Sequence, residues 1–175
     1  KAAAVKVGDF TVGDGRFARK AGDYSAFRYS PEFDAATLTL AEALIESMKL
    51  GKGDATDIIS IGLSATDYVG HAYGTEGSEM CLQLTTLDSD LGAFFDRLAP
   101  AYADSHGAPG RALRQRLALI ERLLAGSRRE TLVEIGCGTG LHLFPLAGAF
   151  ARLIGTDLSP GMIARAESLR RQQAG

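Results

Sequence analysis

The sequence predicts an α/β protein built on parallel strands. Two short apolar runs at 131–135 and 152–156 are each followed by a segment with helical spacing, and a glycine turn follows the first. A third apolar run, 57–63, lies between two amphipathic segments. Strands that alternate with helices form parallel sheets through right-handed crossovers. We therefore expect three parallel strands, the last two adjacent, with exposed apolar side chains where further strands would pair.

The remaining elements follow from apolar periodicity and from glycine and proline positions. Helices are predicted at 36–50, 78–98, 113–124, 141–150 and 160–171. Gly51 and Gly126 stand where C-terminal caps belong, and Pro100 is expected to end the long helix. Residues 1–35 lack sustained periodicity, which favours loop with short extended pieces, and the glycine-rich stretch 64–77 is predicted to be a loop.

Composition excludes several classes of protein. The 175 residues are 46% apolar and 23% charged with a net charge of −2, which disfavours disordered chains and disulfide scaffolds. No basic stripe predicts a nucleic-acid partner, and no apolar run is long enough to span a membrane. Cys81 and Cys137 lack metal-ligand or disulfide spacing and are predicted to be free thiols. The expected partner is a small-molecule substrate, with the oligomeric state left open.

The glycine turn of the second half has the features of a nucleotide-type site. Gly136, Gly138 and Gly140 join a predicted strand to a predicted helix, and Asp157 ends the next strand, 21 residues beyond the first glycine. Glycines let a ligand approach the backbone, the helix N-terminus offers N–H groups, and the acid can accept ribose hydroxyls. The spacing is GxGxG, with Glu134 before it, and departs from the dinucleotide fingerprint. The alternative is a tight strand-to-helix connection without a ligand.

The glycine turn lies in the string VEIGCGTG at 133–140, and the same half contains GTDLSPGM at 155–162 and FDRLAPAY at 95–102. These three strings resemble the class I S-adenosylmethionine-dependent methyltransferases. The resemblance covers about residues 94–175 and implies a Rossmann-like domain that binds S-adenosylmethionine. It implies that Gly136, Gly138 and Gly140 line the methionine and ribose portion of that cofactor. It further implies that Glu134 holds the loop or the methionine amino group and that Asp157 binds the ribose hydroxyls.

Asp67 and His71 form a second candidate site in the first half. They lie four residues apart in the predicted loop that follows strand 57–63, at the edge of a parallel sheet where ligands bind. A carboxylate and a neutral imidazole can converge on one divalent cation, and this donor pair suits zinc. The alternative is that Asp67 caps the turn and His71 is a loop histidine.

Three strings accompany this pair, namely SATDYVGHAYG at 64–74, LDSDLG at 87–92 and SPEFD at 30–34. They resemble the alkaline phosphatase superfamily, in particular its type I phosphodiesterase and PafA-like phosphatase branch. The resemblance covers about residues 5–96. It implies that Asp67 and His71 ligate one zinc of a two-metal centre that hydrolyses phosphate esters. The centre's other ligands and its nucleophile are not matched by residues of this chain.

The two resemblances divide the chain at 1–96, an alkaline-phosphatase-like fragment, and 97–175, the N-terminal half of a methyltransferase domain. The chain begins without Met, and we expect it to be a chimera-like piece of something longer. The methyltransferase half favours a cytoplasmic location and the phosphatase half favours export. A different reading, a non-catalytic interaction module, predicts binding of neither S-adenosylmethionine nor zinc.

Overall fold

The computed structural model describes residues 5–7, 10–12, 17, 20–53, 57–105 and 110–173. The chain divides into two compact units, Lys1–Leu91 and Gly92–Gly175, each with its own core. The boundary drawn between 96 and 97 from the two resemblances stays a prediction. Within the described ranges, none of the helices has the length and apolar character that crossing a bilayer requires.

The first unit is mostly helical. Its elements are the antiparallel hairpin β1 (Val5–Val7) and β2 (Phe10–Val12), then α1 (Tyr24–Arg28), α2 (Glu32–Ser47), α3 (Ala65–Tyr73) and the start of α4 (Ser78–Ser105). The predicted helix at 36–50 is confirmed as α2, which begins four residues earlier. The hairpin and α1 fall in the stretch expected to be loop with short extended pieces. The buried apolar side chains of this unit are Leu38, Ala41, Ala65, Val69 and Met80.

The predicted strand at 57–63 is wrong. These residues have no regular secondary structure, and no strand among the described residues pairs with them. Ile58 is 88% exposed. An apolar, β-branched run forms a buried strand only where neighbouring strands supply hydrogen bonds, and no strand of the described ranges does so for 57–63.

The predicted loop at 64–77 is also wrong, because most of it forms α3. A buried carboxylate outside the helix stabilises its start, since Asp34 Oδ1 accepts the Ala65 N–H at 3.0 Å. Ala65 and Val69, one turn apart, are both buried, so the helix has an apolar face that packs into the unit. Gly74, with φ of +82°, ends α3 in a conformation that suits glycine.

Pro100 lies inside α4 and does not end it, contrary to the prediction. A proline in a helix interior costs about 3 kcal/mol, because it lacks an N–H and crowds the preceding turn. Residues before and after Pro100 pack within the second unit. Ala99 is buried, and the Tyr102 ring lies close to the turn that follows β3.

The second unit carries the parallel strands. After the end of α4 come α5 (Arg111–Leu123), β3 (Thr131–Ile135), a 3₁₀ helix (Phe144–Ala149), β4 (Arg152–Thr156) and α6 (Pro160–Gln173). β3 and β4 pair in parallel, from Thr131 opposite Arg152 to Ile135 opposite Thr156. The predicted strands, their adjacency and their direction are confirmed, as are the helices predicted at 113–124 and 160–171.

The helix predicted at 141–150 is shorter and tighter than expected. Three turn residues precede the 3₁₀ helix. In an α-helix over 141–150, Pro145 would lie in the interior and lack the N–H of a helical hydrogen bond, and Gly148 has a low helix propensity. The buried apolar side chains of this unit are Phe94, Ala99, Cys137, Leu143, Leu146, Phe150, Met162 and Ala166. Val133 and Ile135, on one face of β3, are 54% and 88% exposed, so that face of the short sheet carries exposed apolar side chains. The exposure expected where further strands would pair stays a prediction.

Candidate functional site

The turn after β3 needs its glycines for conformational reasons. Gly136, Gly138 and Gly140 have φ of +73°, +53° and +83°, all in the left-handed region that L-residues with a side chain avoid. An ideal Cβ on Gly136 would meet no described atom within 4 Å, whereas one on Gly140 would lie 2.5 Å from Cε2 of Phe144. Open space therefore lies beside the first glycine, and the Phe144 ring occupies the space beside the third.

The end of β4 fixes the shape of this turn. The Thr156 carbonyl accepts the N–H groups of Gly136 and Cys137 at 2.8 and 2.9 Å. The next amide, from Gly138, donates to Oδ2 of Asp157 at 2.7 Å. Three successive amides of the turn are therefore bonded to the adjacent strand end, and the predicted site residues Gly138 and Asp157 are in direct contact.

Asp157 is half-buried and holds two backbone amides. Besides the Gly138 bond, its Oδ1 accepts the Ser159 N–H at 2.9 Å. A carboxylate offers about four lone-pair directions, so each oxygen keeps one for a further donor. Asp157 can therefore receive hydroxyl groups while it holds the turn.

Glu134 lies on β3, just before the turn, and its two oxygens differ. Oε1 lies 3.4 Å from Nδ1 of His142, while Oε2 is buried and has no hydrogen-bond partner in the described part of the chain. Burial raises the pKa of the Glu134 carboxyl, and the neighbouring His142 acts in the opposite direction. A buried carboxylate oxygen without a donor favours a cationic or N–H ligand at this point.

Two further side chains of the turn are buried. The Thr139 hydroxyl oxygen has no hydrogen-bond partner among the described residues. Cys137 is a free thiol, as is Cys81, which confirms both predictions. Burial raises the pKa of the Cys137 thiol, and the carboxylates of Asp157 and Glu134 raise it further. Cys137 is therefore a neutral packing residue of the turn.

The sequence did not single out four side chains around this turn. Tyr102 lies against Gly138, and burial followed by the charge of Asp157 raises the pKa of its phenol. His142 faces Glu134, and Asp96 and Ser159 meet at the start of α6. Only Ser159 had a signal of its own, since a serine before a proline is a helix N-cap pattern.

Asp67 and His71 are brought together, but on a helix. They lie one turn apart on α3, with 3.5 Å between Oδ1 of Asp67 and Nε2 of His71. Both side chains are more than 70% exposed, at 72% and 78%. Within the described ranges no third His, Cys, Asp or Glu joins them to make a metal-binding group. The pair offers two ligands on one surface.

A buried polar cluster lies next to this pair. Gln83, fully buried, donates from Nε2 to Oδ2 of Asp34 at 3.1 Å and to the Thr66 hydroxyl at 3.3 Å. Asp34, 1% exposed, also accepts the Ala65 N–H. These bonds hold the first turn of α3, from which Asp67 projects.

Comparison with known proteins gives two separate similarities. The family described as "Methyltransferase domain" matches residues 132–174. Alkaline phosphatase PhoK from Sphingomonas sp is 67% identical over 94 residues, which are 54% of this chain and 17% of that protein. Alkaline phosphatase PhoD from Zymomonas mobilis is 45% identical over 109 residues, 62% of this chain and 18% of that protein. The chain thus spans less than a fifth of each phosphatase.

The fold and the comparisons together show a chain that resembles a methyltransferase domain in one part and matches alkaline phosphatases over part of its length. Residues 132–174, which match the methyltransferase domain family, contain the parallel strand pair and the glycine turn, as in a partial α/β, Rossmann-like fold. The chain also matches alkaline phosphatases over part of its length. The predicted combination of methyltransferase and alkaline phosphatase sequence is confirmed, and a methyltransferase domain implies a cofactor of the S-adenosylmethionine type in general.

Proposed function

We propose that residues 132–174 form the S-adenosylmethionine-binding part of a methyltransferase. The observation that carries this proposal is the placement of two carboxylates on adjacent parallel strands. Glu134 lies near the end of β3 with one buried oxygen that has no donor among the described residues, and Asp157 follows β4 with a free lone pair on each carboxylate oxygen. Ligands of open α/β sheets bind at the carboxyl ends of the strands.

The residues present fit this cofactor. The unpartnered oxygen of Glu134 suits the methionine ammonium group, and Asp157 suits the two ribose hydroxyls. The open space beside Gly136 lets a ligand contact the backbone. When bound, S-adenosylmethionine supplies a methyl group on a sulfonium, so the protein has chiefly to hold the cofactor in line with an acceptor.

Calorimetry with S-adenosylmethionine tests the site. Asp157→Ala should weaken binding by about 1.5 to 3 kcal/mol, the worth of a hydrogen bond to a charged group. Glu167→Ala is the matched control, because Glu167 is an exposed acid of α6 in the same unit. Equal affinity of Asp157→Ala and the parent chain would reject the site.

A second proposal concerns the other similarity. We propose that Asp67 and His71 are two zinc ligands of a larger phosphatase, of which this chain contains a part. The support is the 67% identity to PhoK, together with the 3.5 Å contact between a carboxylate and an imidazole one helical turn apart. With only two protein ligands, zinc affinity should be weak.

Zinc titration followed by the NMR signals of the histidine rings tests this second proposal. Added zinc should shift the His71 ring at lower concentration than the His142 ring, and Asp67→Ala should remove the difference. Identical responses of both rings would refute the metal pair. A chain that binds neither zinc at His71 nor S-adenosylmethionine would instead fit the non-catalytic interaction module.

A further inference from the structure

The start of α6 is held by a carboxylate from another helix. Asp96, in the part of α4 that belongs to the second unit, accepts two hydrogen bonds on Oδ1. One comes from the Ser159 hydroxyl and the other, at 2.8 Å, from the Gly161 N–H. The negative charge of Asp96 thus lies at the positive end of the α6 dipole, and both bonds lower the pKa of its carboxyl.

Ser159 connects this carboxylate to the proposed cofactor site. It is fully buried, and its hydroxyl accepts the Met162 N–H at 2.9 Å while donating to Asp96. Its own N–H donates to Oδ1 of Asp157 at 2.9 Å, and Oδ2 of Asp157 accepts the Gly138 N–H. A continuous series of hydrogen bonds therefore runs from α4 through the cap of α6 to the glycine turn.

The close approach of α4 to α6 depends on a glycine. An ideal Cβ on Gly161 would lie 2.8 Å from Oδ1 of Asp96 and 3.2 Å from its Cα atom. Contacts this short require either the backbone or the Asp96 carboxylate to move. Asp96 can therefore lie this close to the first turn of α6 because residue 161 is a glycine and has no side chain.

We propose that Asp96 is a positioning residue for S-adenosylmethionine binding. It fixes Ser159, and through Ser159 it sets the direction of the Asp157 carboxylate toward the ribose hydroxyls. Asp96 itself does not touch the cofactor. This inference rests on the function proposed for residues 132–174, and it adds a residue from the string at 95–102 that has no assigned role.

The central variant is Asp96→Ala, which removes both bonds at Oδ1. Asp96→Asn is the rescue variant, because its amide oxygen can accept the same two bonds without the charge. Asp88→Ala is the matched control, since Asp88 is an exposed aspartate of the same helix outside the second unit. All three are compared with the parent chain in the same two measurements.

Amide hydrogen exchange is the first measurement and needs no cofactor. Asp96→Ala should raise the exchange rates of the Ser159 and Gly138 amides several-fold more than those of the β4 amides, and Asp96→Asn should restore most of the protection. A purely structural role would raise all rates in the unit equally. Equal acceleration throughout the unit, or unchanged Gly138 exchange, would overturn the inference.

Calorimetry with S-adenosylmethionine is the second measurement. Asp96→Ala should raise the Kd about fivefold, a size typical of coupled contacts. In an Asp157→Ala background the same change should have no further effect, because the group being positioned is gone. Additive effects of the two substitutions would overturn the inference. If the parent chain binds no S-adenosylmethionine, the proposed function fails, and the exchange pattern still decides whether Asp96 positions Asp157.

Discussion

Alanine substitution should cost more stability at the third glycine of the turn than at the first, because the two glycines have different surroundings. Both have positive φ, so alanine at either position costs about 1 to 2 kcal/mol from backbone strain. At Gly136 we expect no added packing cost, since a Cβ there meets no atom within 4 Å in the part of the chain that the structure describes. At Gly140 the Cβ would lie 2.5 and 2.7 Å from Cε2 and Cζ of Phe144.

The extra cost at Gly140 depends on how far Phe144 can move. Overpacking typically costs about 1 to 3 kcal/mol, and the Phe144 ring is half-exposed, which favours the lower half of that range. We therefore expect Gly136→Ala to destabilise the second unit by about 1 to 2 kcal/mol, and Gly140→Ala by about 2 to 4 kcal/mol.

Hydrogen exchange of the β3 and β4 amides measures the opening free energy of this unit alone. The same substitutions made in a Phe144→Ala background complete the test. There the cost of Gly140→Ala should fall to that of Gly136→Ala, because the obstructing ring is gone. Equal costs in the parent chain, or an undiminished cost at Gly140 without the ring, would refute the reasoning.

Three further outcomes are expected. Asp34→Ala should destabilise the first unit by about 2 to 4 kcal/mol, because it leaves the Ala65 and Gln83 donors buried without this acceptor. Hydrogen exchange of the α3 amides measures this loss of stability, and a loss below about 1 kcal/mol would contradict the expectation. Burial raises the pKa of Glu134 above its usual 4.5, so the folded state holds this proton to higher pH than the unfolded state. Stability should then fall as pH rises from 4.5 through the folded-state pKa; urea unfolding across pH 4 to 8 should show a smaller fall in Glu134→Gln, and identical profiles would exclude the effect. The purified chain should carry no stoichiometric zinc and hydrolyse no phosphate ester above background. Elemental analysis and a phosphatase assay check these two expectations. Tightly bound zinc, with hydrolysis abolished by His71→Ala, would show that further ligands are recruited.

The parallel strand pair and its turn could be predicted because their signals are local. β-branched runs, a glycine cluster and a serine–proline cap each fix a backbone conformation within a few residues. The run at 57–63 has the same local signal but no pairing partner among the described residues, so the prediction of a strand fails. Whether a segment forms a strand depends on its pairing partners as well as on its own residues.

Side-chain partners far apart in sequence could not be predicted. Asp34 stabilises the start of α3 from 31 positions away, and this contact helps a glycine-containing stretch to become a helix. Asp96 reaches Ser159 across 63 positions. A single sequence marks neither aspartate as different from a solvated surface acid. The candidate residues Glu134, Asp157 and the glycines could be singled out from the sequence because they are grouped in two short strings. Their role in cofactor binding stays a prediction.

The bonds between the glycine turn and the end of β4 also constrain the order in which this unit can fold. The amides of Gly136, Cys137 and Gly138 find their acceptors only at Thr156 and Asp157, about twenty positions later along the chain. The turn cannot make these bonds until the crossover has closed and β4 has paired, so loop closure precedes formation of the turn. During synthesis the glycine string leaves the ribosome before its acceptors do, and we expect the turn to reach the geometry described above only after the second strand has followed it.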